Sequence, residues 1–264
     1  MKAAEANLLS FLENSKQLVI PIYQRMYSWT ERECMQLWND ILRVGHNDDI
    51  STHFVGSVVY IEDGLSQVSR NAPLLVIDGQ QRLTTVTLLL EALARNVGED
   101  EPHEGFSQEK IRSYYLMNPL EKDDKKFKLL LTQTDKETLG AILRQRPYPQ
   151  EPSLRVSENF NFFDRQIKKL GNGLEVLCKG MEKLLLVDVA LNRDHDNPQL
   201  IFESMNSTGR ELSQADLIRN FILMGLEPEI QTELYRDYWR PMEVDFGQEA
   251  YGAGNPPISR GPEK

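Results

Sequence analysis

The segment Leu74-Leu75-Val76-Ile77-Asp78-Gly79-Gln80-Gln81-Arg82-Leu83-Thr84-Thr85-Val86-Thr87-Leu88-Leu89-Leu90 constrains the fold more than any other. Its first half is a short apolar run rich in branched residues behind Pro73, the pattern of a buried strand. From Leu83 to Leu93 the apolar residues recur at helical spacing, the pattern of a helix leaning on that strand. Only Asp-Gly-Gln-Gln-Arg separates the two, so the chain must reverse in a sharp strand-to-helix turn, for which Gly79 supplies the backbone freedom. The amides of Gln80, Gln81 and Arg82 then fall among the unpaired donors that open a helix. Amides, helix dipole and a guanidinium in the first turn suit a phosphate. Asp78, at the strand's end, is placed to hold a metal ion or orient a water. The spacing is not that of a P-loop. A tight turn with Asp78 as helix cap accounts for the same residues.

At 264 residues the chain makes one large domain or two small ones, with room for a sizeable core. Its 40% hydrophobic and 27% charged residues are ordinary for a globular protein. A net charge of −10 argues against the whole surface being a DNA-binding face and leaves room for a local basic groove. Cys34 and Cys178 form no CxxC, so neither a disulfide framework nor a zinc site is indicated, and Cys34 falls on an apolar helical stripe with Leu37, Trp38 and Ile41. No basic-then-apolar leader opens the chain, and no apolar run nears the roughly 18 residues of a membrane span. A cytoplasmic setting without membrane contact is the expectation. His46, His53, His103 and His195 show no metal-type pairing and no Gly-x-Ser-x-Gly elbow is present, which disfavours zinc hydrolases and nucleophilic triads.

In chain order, Ala4 to Asn14 reads as a helix with Leu8, Leu9, Phe11 and Leu12 inward, and Gln17 to Ile20 as a strand stopped by Pro21. Ile20 to Trp29 is dense in aromatics around Arg25, a mixture that either stacks a base and grips a phosphate or forms an aromatic hinge. Thr30 and Glu33 make a capping box for a helix over 31–43, ended by Gly45. Phe54 to Ile61 reads as a strand, and Glu62-Asp63-Gly64 as a turn. The polar residues Ser66 to Asn71 complete a hairpin leading into Asp78. Beyond the helix that ends near Asn96, Gly98 to Gly105 reads as a solvated loop, 107–117 and 134–143 as helices and 127–131 as a strand. The proline-rich segment 146–152 is the best internal boundary. A helix over 157–170, a break at Gly171-Asn172-Gly173 and a second helix to Lys183 precede an apolar strand over 184–191. Within it Asp188 reads as a paired edge residue or, less favoured, a second site carboxylate. A helix ending at Asn206 leads to Ser207-Thr208-Gly209, a polar turn whose hydroxyls and amides could hold phosphate or ribose. Ser213 and Asp216 form a second capping box for a helix over 214–224, a last helix spans 228–239, and a Gly/Pro-rich tail with the composition of disorder follows Phe246. The expected division is 1–146, 153–246 and the tail 247–264.

Three segments occur in order: Ile20-Pro21-x-Tyr23-Gln24-Arg25-x-Tyr27-x-Trp29, Asp78-Gly79-Gln80-Gln81-Arg82-Leu83-Thr84, and Phe202-x-x-x-Asn206-x-x-Gly209-x-x-Leu212. Together they resemble the N-terminal domain of GmrSD-type modification-dependent restriction endonucleases, a bacterial defence family related to ParB and sulfiredoxin. The resemblance spans roughly 8–247. It implies an α+β fold, with a small mixed ParB/sulfiredoxin-like sheet, helices packed on it, and a mainly helical segment after it. It also implies nucleotide binding and hydrolysis at the Asp-Gly-Gln-Gln-Arg motif. Asp78, Gln80, Gln81 and Arg82 inherit the catalytic assignment, with Asp78 on Mg2+. Tyr23, Gln24, Arg25, Gly79, Thr84, Asn206, Thr208 and Gly209 are the expected nucleotide contacts. Whether the nucleoside triphosphate is GTP, CTP, UTP or ATP stays open, as do the DNA modification and the oligomeric state. Such proteins usually continue into a His-Asn-His nuclease domain, which does not follow here. The expectation is therefore a regulatory half, whether truncated, stand-alone or served by a separate nuclease subunit, acting with modified DNA. The alternative is a non-catalytic ParB-like DNA-binding or subunit-docking module.

Overall fold

A computed structural model describes residues 1–62, 73–98, 101–192, 196–197, 199–201 and 213–245. In chain order these form β1 (Lys2–Asn7), α1 (Leu8–Asn14), β2 (Leu18–Val19), α2 (Glu31–His46), β3 (His53–Glu62), β4 (Leu74–Asp78) and α3 (Gln80–Asn96). There follow α4 (Gln108–Lys110) with a π-helical turn (Ile111–Leu116), β5 (Leu129–Leu130), α5 (Gln133–Leu143), α6 (Leu154–Leu170), α7 (Leu174–Glu182) and β6 (Leu184–Asn192). The last elements are α8 (Gln214–Leu223), α9 (Pro228–Leu234), a π-helical turn (Tyr235–Trp239) and α10 (Arg240–Asp245). The chain falls into two compact units, Met1–Pro21 with Met26–Pro198, and Ile22–Arg25 with Gln199–Lys264. The expected turn at 62–64, beyond Glu62, the linker 66–71, the 202–212 segment and the tail lie outside the described residues.

The first unit is built on a six-stranded mixed sheet of order β1-β6-β3-β4-β2-β5, with helices packed on it, as the α+β expectation requires. β3 and β4 pair antiparallel, with Val59 opposite Asp78 and Tyr60 opposite Val76, so the expected hairpin does lead into Asp78. β4 continues into β2, and β2 into β5, by parallel pairing. Two expectations are corrected. Residues 2–7 are a strand antiparallel to β6 and not the start of a helix, which begins only at Leu8. The Asn7 side chain caps it by accepting from the Ser10 amide at 3.0 Å, and pairing to β6 overrides the helical preference of Ala and Glu. Nor is Asp188 an edge residue. β6 lies between β1 and β3, Asp188 stands opposite Ala4 and Val58, and its Oδ1 is buried with no hydrogen-bond partner.

Helix α3 is buried along almost its whole length, polar residues included. The hydroxyls of Thr84, Thr85 and Thr87 are satisfied by the carbonyls of Gln80, Gln81 and Leu83, each at 2.8 Å. The helix carries one charge into the core, Glu91, whose side chain is 0% exposed. Arg95 Nε and Arg112 Nη1 donate to its two oxygens at 2.9 and 2.5 Å, and each guanidinium also donates to a carbonyl at the end of α5, of Ile142 and Leu143 respectively. Burial pushes the Glu91 carboxyl up from its ordinary pKa, and the two arginines oppose this. Lys128, 6% exposed, closes α1 in a similar way, with Nζ donating to the carbonyls of Leu12, Glu13 and Ser15. Gly45 does not end α2, which runs to His46. A Cβ there would stand 2.1 Å from the Val176 carbonyl oxygen, so the glycine serves a close crossing with α7. The proline-rich segment joins α5 to α6 within the first unit.

In the second unit α8 opens on the expected capping box, the Ser213 hydroxyl accepting from the Asp216 amide at 3.1 Å. Arg219 is 4% exposed and organises the rest. Its Nε donates to the Tyr23 carbonyl at 2.7 Å, Nη2 to Asp216 Oδ1 at 2.6 Å and Nη1 to Glu243. Tyr235 and Trp239 donate to the same Glu243 carboxylate. Among the described residues no helix is long and apolar enough to cross a membrane.

Candidate functional site

The Asp78–Arg82 turn joins β4 to α3, and its geometry is set by main chain from β3. Gly79 caps the helix with φ +94°, ψ 1° and no side-chain cap hydrogen bond, so Asp78 is not the cap. A side chain at Gly79 would also clash, its Cβ falling 2.8 Å from the Ser57 carbonyl oxygen and 3.0 Å from Val58 Cγ2. The turn is therefore laid directly on β3, as close as backbone allows.

Asp78 is half-buried, with Ser57 Oγ 3.5 Å from its Oδ2. Arg82 is half-buried, and its Nη1 donates to the Ser57 carbonyl at 2.7 Å. Among the described residues the guanidinium forms no ion pair within 4 Å. Burial lowers its pKa from the ordinary arginine value, and the charge of Asp78 opposes that. An arginine remains cationic through such a shift. A cation and a carboxylate thus flank one glycine at the start of a 17-residue helix, both resting on one residue of the neighbouring strand. Amides, dipole and guanidinium in that arrangement can hold a doubly or triply charged oxygen cluster.

The remaining motif residues divide by their partners. Gln80 is 9% exposed and is engaged in the fold. The amide of Gln81, 8% exposed, is committed to the main chain of the 26–29 segment. Its Oε1 accepts from the Ser28 amide at 2.8 Å, the Trp29 amide at 3.2 Å and the Ser28 hydroxyl at 3.4 Å. Its Nε2 donates to the Met26 carbonyl at 3.2 Å. Thr84 is 1% exposed, with its hydroxyl on its own helix. Next to this staple, Tyr27 is buried. Its hydroxyl meets Thr85 Oγ1 at 2.7 Å and accepts from Asn159 Nδ2 at 2.9 Å, and burial pushes its pKa well up. Asp135 Oδ2 accepts from the Tyr27 amide at 2.6 Å. Residues 26–29 are therefore packed through these contacts as the aromatic-hinge alternative has them.

The structure thus brings Asp78, Gly79, Gln80, Gln81, Arg82 and Thr84 into one turn and helix start. Tyr23, Gln24 and Arg25 belong to the second unit, where Tyr23 and Gln24 are 2% and 3% exposed. Asn206, Thr208 and Gly209 lie outside the described residues. Two residues missed in the sequence are Gly56 and Ser57, within a register shift of β3 against β6. The signal was present: a lone glycine inside a strand pattern marks a bulge or a close backbone approach.

The chain matches the family model of the GmrSD restriction endonuclease N-terminal domain over residues 8–223, and it belongs to that family. No curated protein matches it.

Proposed function

We propose that this chain is the nucleotide-binding and hydrolysing module of a DNA-modification-dependent restriction system, with the Asp78–Arg82 turn as its phosphate site. The observation that carries the reading is Arg82, a half-buried cation that among the described residues is tied to a carbonyl and forms no ion pair, in the first turn of a helix whose leading amides have no side-chain cap. A half-buried cation with no directly bonded carboxylate is costly to desolvate, and a bound anion offsets that cost beyond what the nearby Asp78 charge supplies. Arg82 and the turn amides would bind terminal phosphate oxygens. Asp78 would be the protein carboxylate that holds a magnesium ion brought in with the phosphates, an ion that would supply charge neutralisation there. Gln80 or Gln81 would orient the water on ligand binding, although the Gln81 amide is held by residues 26–29 and Gln80 is engaged in the fold as well. A separate nuclease subunit or domain would cut DNA.

One observation favours the alternative, a non-catalytic DNA-binding or docking module. Two of the expected site side chains, Gln81 and Thr84, are bonded internally, which reduces the groups available for chemistry more than those for binding. Paired substitutions separate the readings. If the turn is catalytic, Asp78→Ala abolishes triphosphate hydrolysis while nucleotide still binds. If it only docks, Arg82→Ala weakens DNA binding for all sequences alike and flattens its salt dependence, whereas Asp78→Ala does little or strengthens binding. Protein that hydrolyses no triphosphate, with or without modified DNA, would overturn the catalytic reading.

A further inference from the structure

Two residues outside the Asp-Gly-Gln-Gln-Arg motif decide where Arg82 can lie. Gly56 has φ +108°, a left-handed backbone that side chains rarely adopt. A Cβ built there would stand 2.4 Å from Arg82 Nη2, 2.6 Å from Cζ and 3.1 Å from Nη1. The guanidinium therefore occupies the space a side chain at 56 would fill. The next carbonyl, of Ser57, accepts from Arg82 Nη1 at 2.7 Å, and it is the same oxygen that stands 2.8 Å from where a Cβ of Gly79 would be. Gly56 on β3 and Gly79 in the turn after β4 thus clear the two sides of one carbonyl. One side admits the guanidinium and the other admits the turn.

We infer that the Gly56–Ser57 bulge of β3 is the positioning element of the anion site: it fixes the plane and the depth of the Arg82 guanidinium before any ligand arrives. The inference rests on reading the turn as an anion site, but the placement of Arg82 can be measured without a ligand. A fork held by one N–H to main chain keeps its other donors in a fixed plane, which reduces the conformational entropy lost on gripping phosphate. Substitution at 56 therefore acts on binding through Arg82 and not through its own contact with ligand. Because the acceptor is the Ser57 main-chain oxygen, Ser57→Ala leaves the guanidinium where it is.

The test is Gly56→Ala, with Gly171→Ala as control. Gly171 also has positive φ, +56°, but a Cβ there meets nothing within 4 Å, so it reports the backbone strain alone. Two readouts are taken on the full chain. The first is the Arg82 guanidinium signal in proton–nitrogen spectra, assigned by its loss in Arg82→Lys. It should show hindered rotation in the wild type, Ser57→Ala and Gly171→Ala, and free rotation or a large shift in Gly56→Ala. The second is binding of GTP, CTP, UTP and ATP with magnesium. Gly56→Ala should weaken the tightest of them at least tenfold, and Gly171→Ala less than twofold. A Gly56→Ala protein with unchanged Arg82 signal and affinity within twofold of wild type overturns the inference. If Gly56→Ala does not fold, the wild-type signal alone decides, and a freely rotating Arg82 overturns it. Failure of the wild type to bind any triphosphate with the Arg82 signal still hindered would count against the proposed function and leave the positioning role standing.

Discussion

Gln81→Leu separates a structural glutamine from a catalytic one. Replacing the amide with an apolar side chain of similar size leaves the Ser28 and Trp29 amides without their acceptor and the Met26 carbonyl without its donor. Each buried polar group left unpaired costs about 1–3 kcal/mol. Met26, Ser28 and Trp29 are all half-buried, so water relieves part of this, and the low end applies to each. The expected total is about 2–4 kcal/mol, a large part of the roughly 5–15 kcal/mol that holds a typical domain. The emission of Trp29, Trp38 and Trp239 together reports unfolding of the chain. Urea unfolding followed by tryptophan emission should show a lower midpoint at unchanged slope. A variant within about 0.5 kcal/mol of wild type, the ordinary range of an inconsequential surface change, would refute the assignment. If that same variant had lost hydrolysis, Gln81 would have to be returned to the chemistry.

Two further outcomes follow from the buried charges and caps. Glu91→Ala strands Arg95 and Arg112 beside the core and should destabilise the protein by about 3–5 kcal/mol in urea unfolding, the usual result of removing one partner of a buried ion pair. At the start of α2, burial acts to raise the pKa of Glu33, but hydrogen bonds from the Thr30 hydroxyl, the Thr30 amide and Arg32 outweigh it and take the carboxyl from 4.5 down to about 2. A folded pKa below the unfolded one gives stability that is complete above about 4.5 and lost as pH falls toward 2. The urea midpoint of the wild type should therefore drop more steeply through that window than that of Glu33→Gln.

What the sequence made legible was local. The Leu74–Asp78 strand, the Gly79 turn and the α3 helix follow from periodicity and one glycine, and both capping boxes follow from residues three apart. What stayed hidden joins residues far apart in the chain. Lys2–Asn7 became a strand because β6 was there to receive it, against the preference of its own residues. Gly45 looks like a helix stop until α7 is laid across it. The candidate site shows the same limit. The motif placed Asp78 and Arg82 in one turn, but the carbonyl that holds Arg82 comes from residue 57 of another strand, where Gly56 signals a bulge or close approach without saying which side chain it admits. Likewise, nothing in the local pattern around Gln81 distinguishes an amide aimed at substrate from one that staples residues 26–29.

The central claim is that Arg82 and the turn amides hold a phosphate chain. Calorimetric titration of the purified chain with GTP, CTP, UTP and ATP in magnesium, repeated with Arg82→Ala, tests it most directly. Saturable binding of at least one triphosphate is expected, with a loss of tenfold or more in Arg82→Ala at unchanged urea stability. Binding that is equally tight without the guanidinium, or no binding of any triphosphate by a folded wild type, would contradict it.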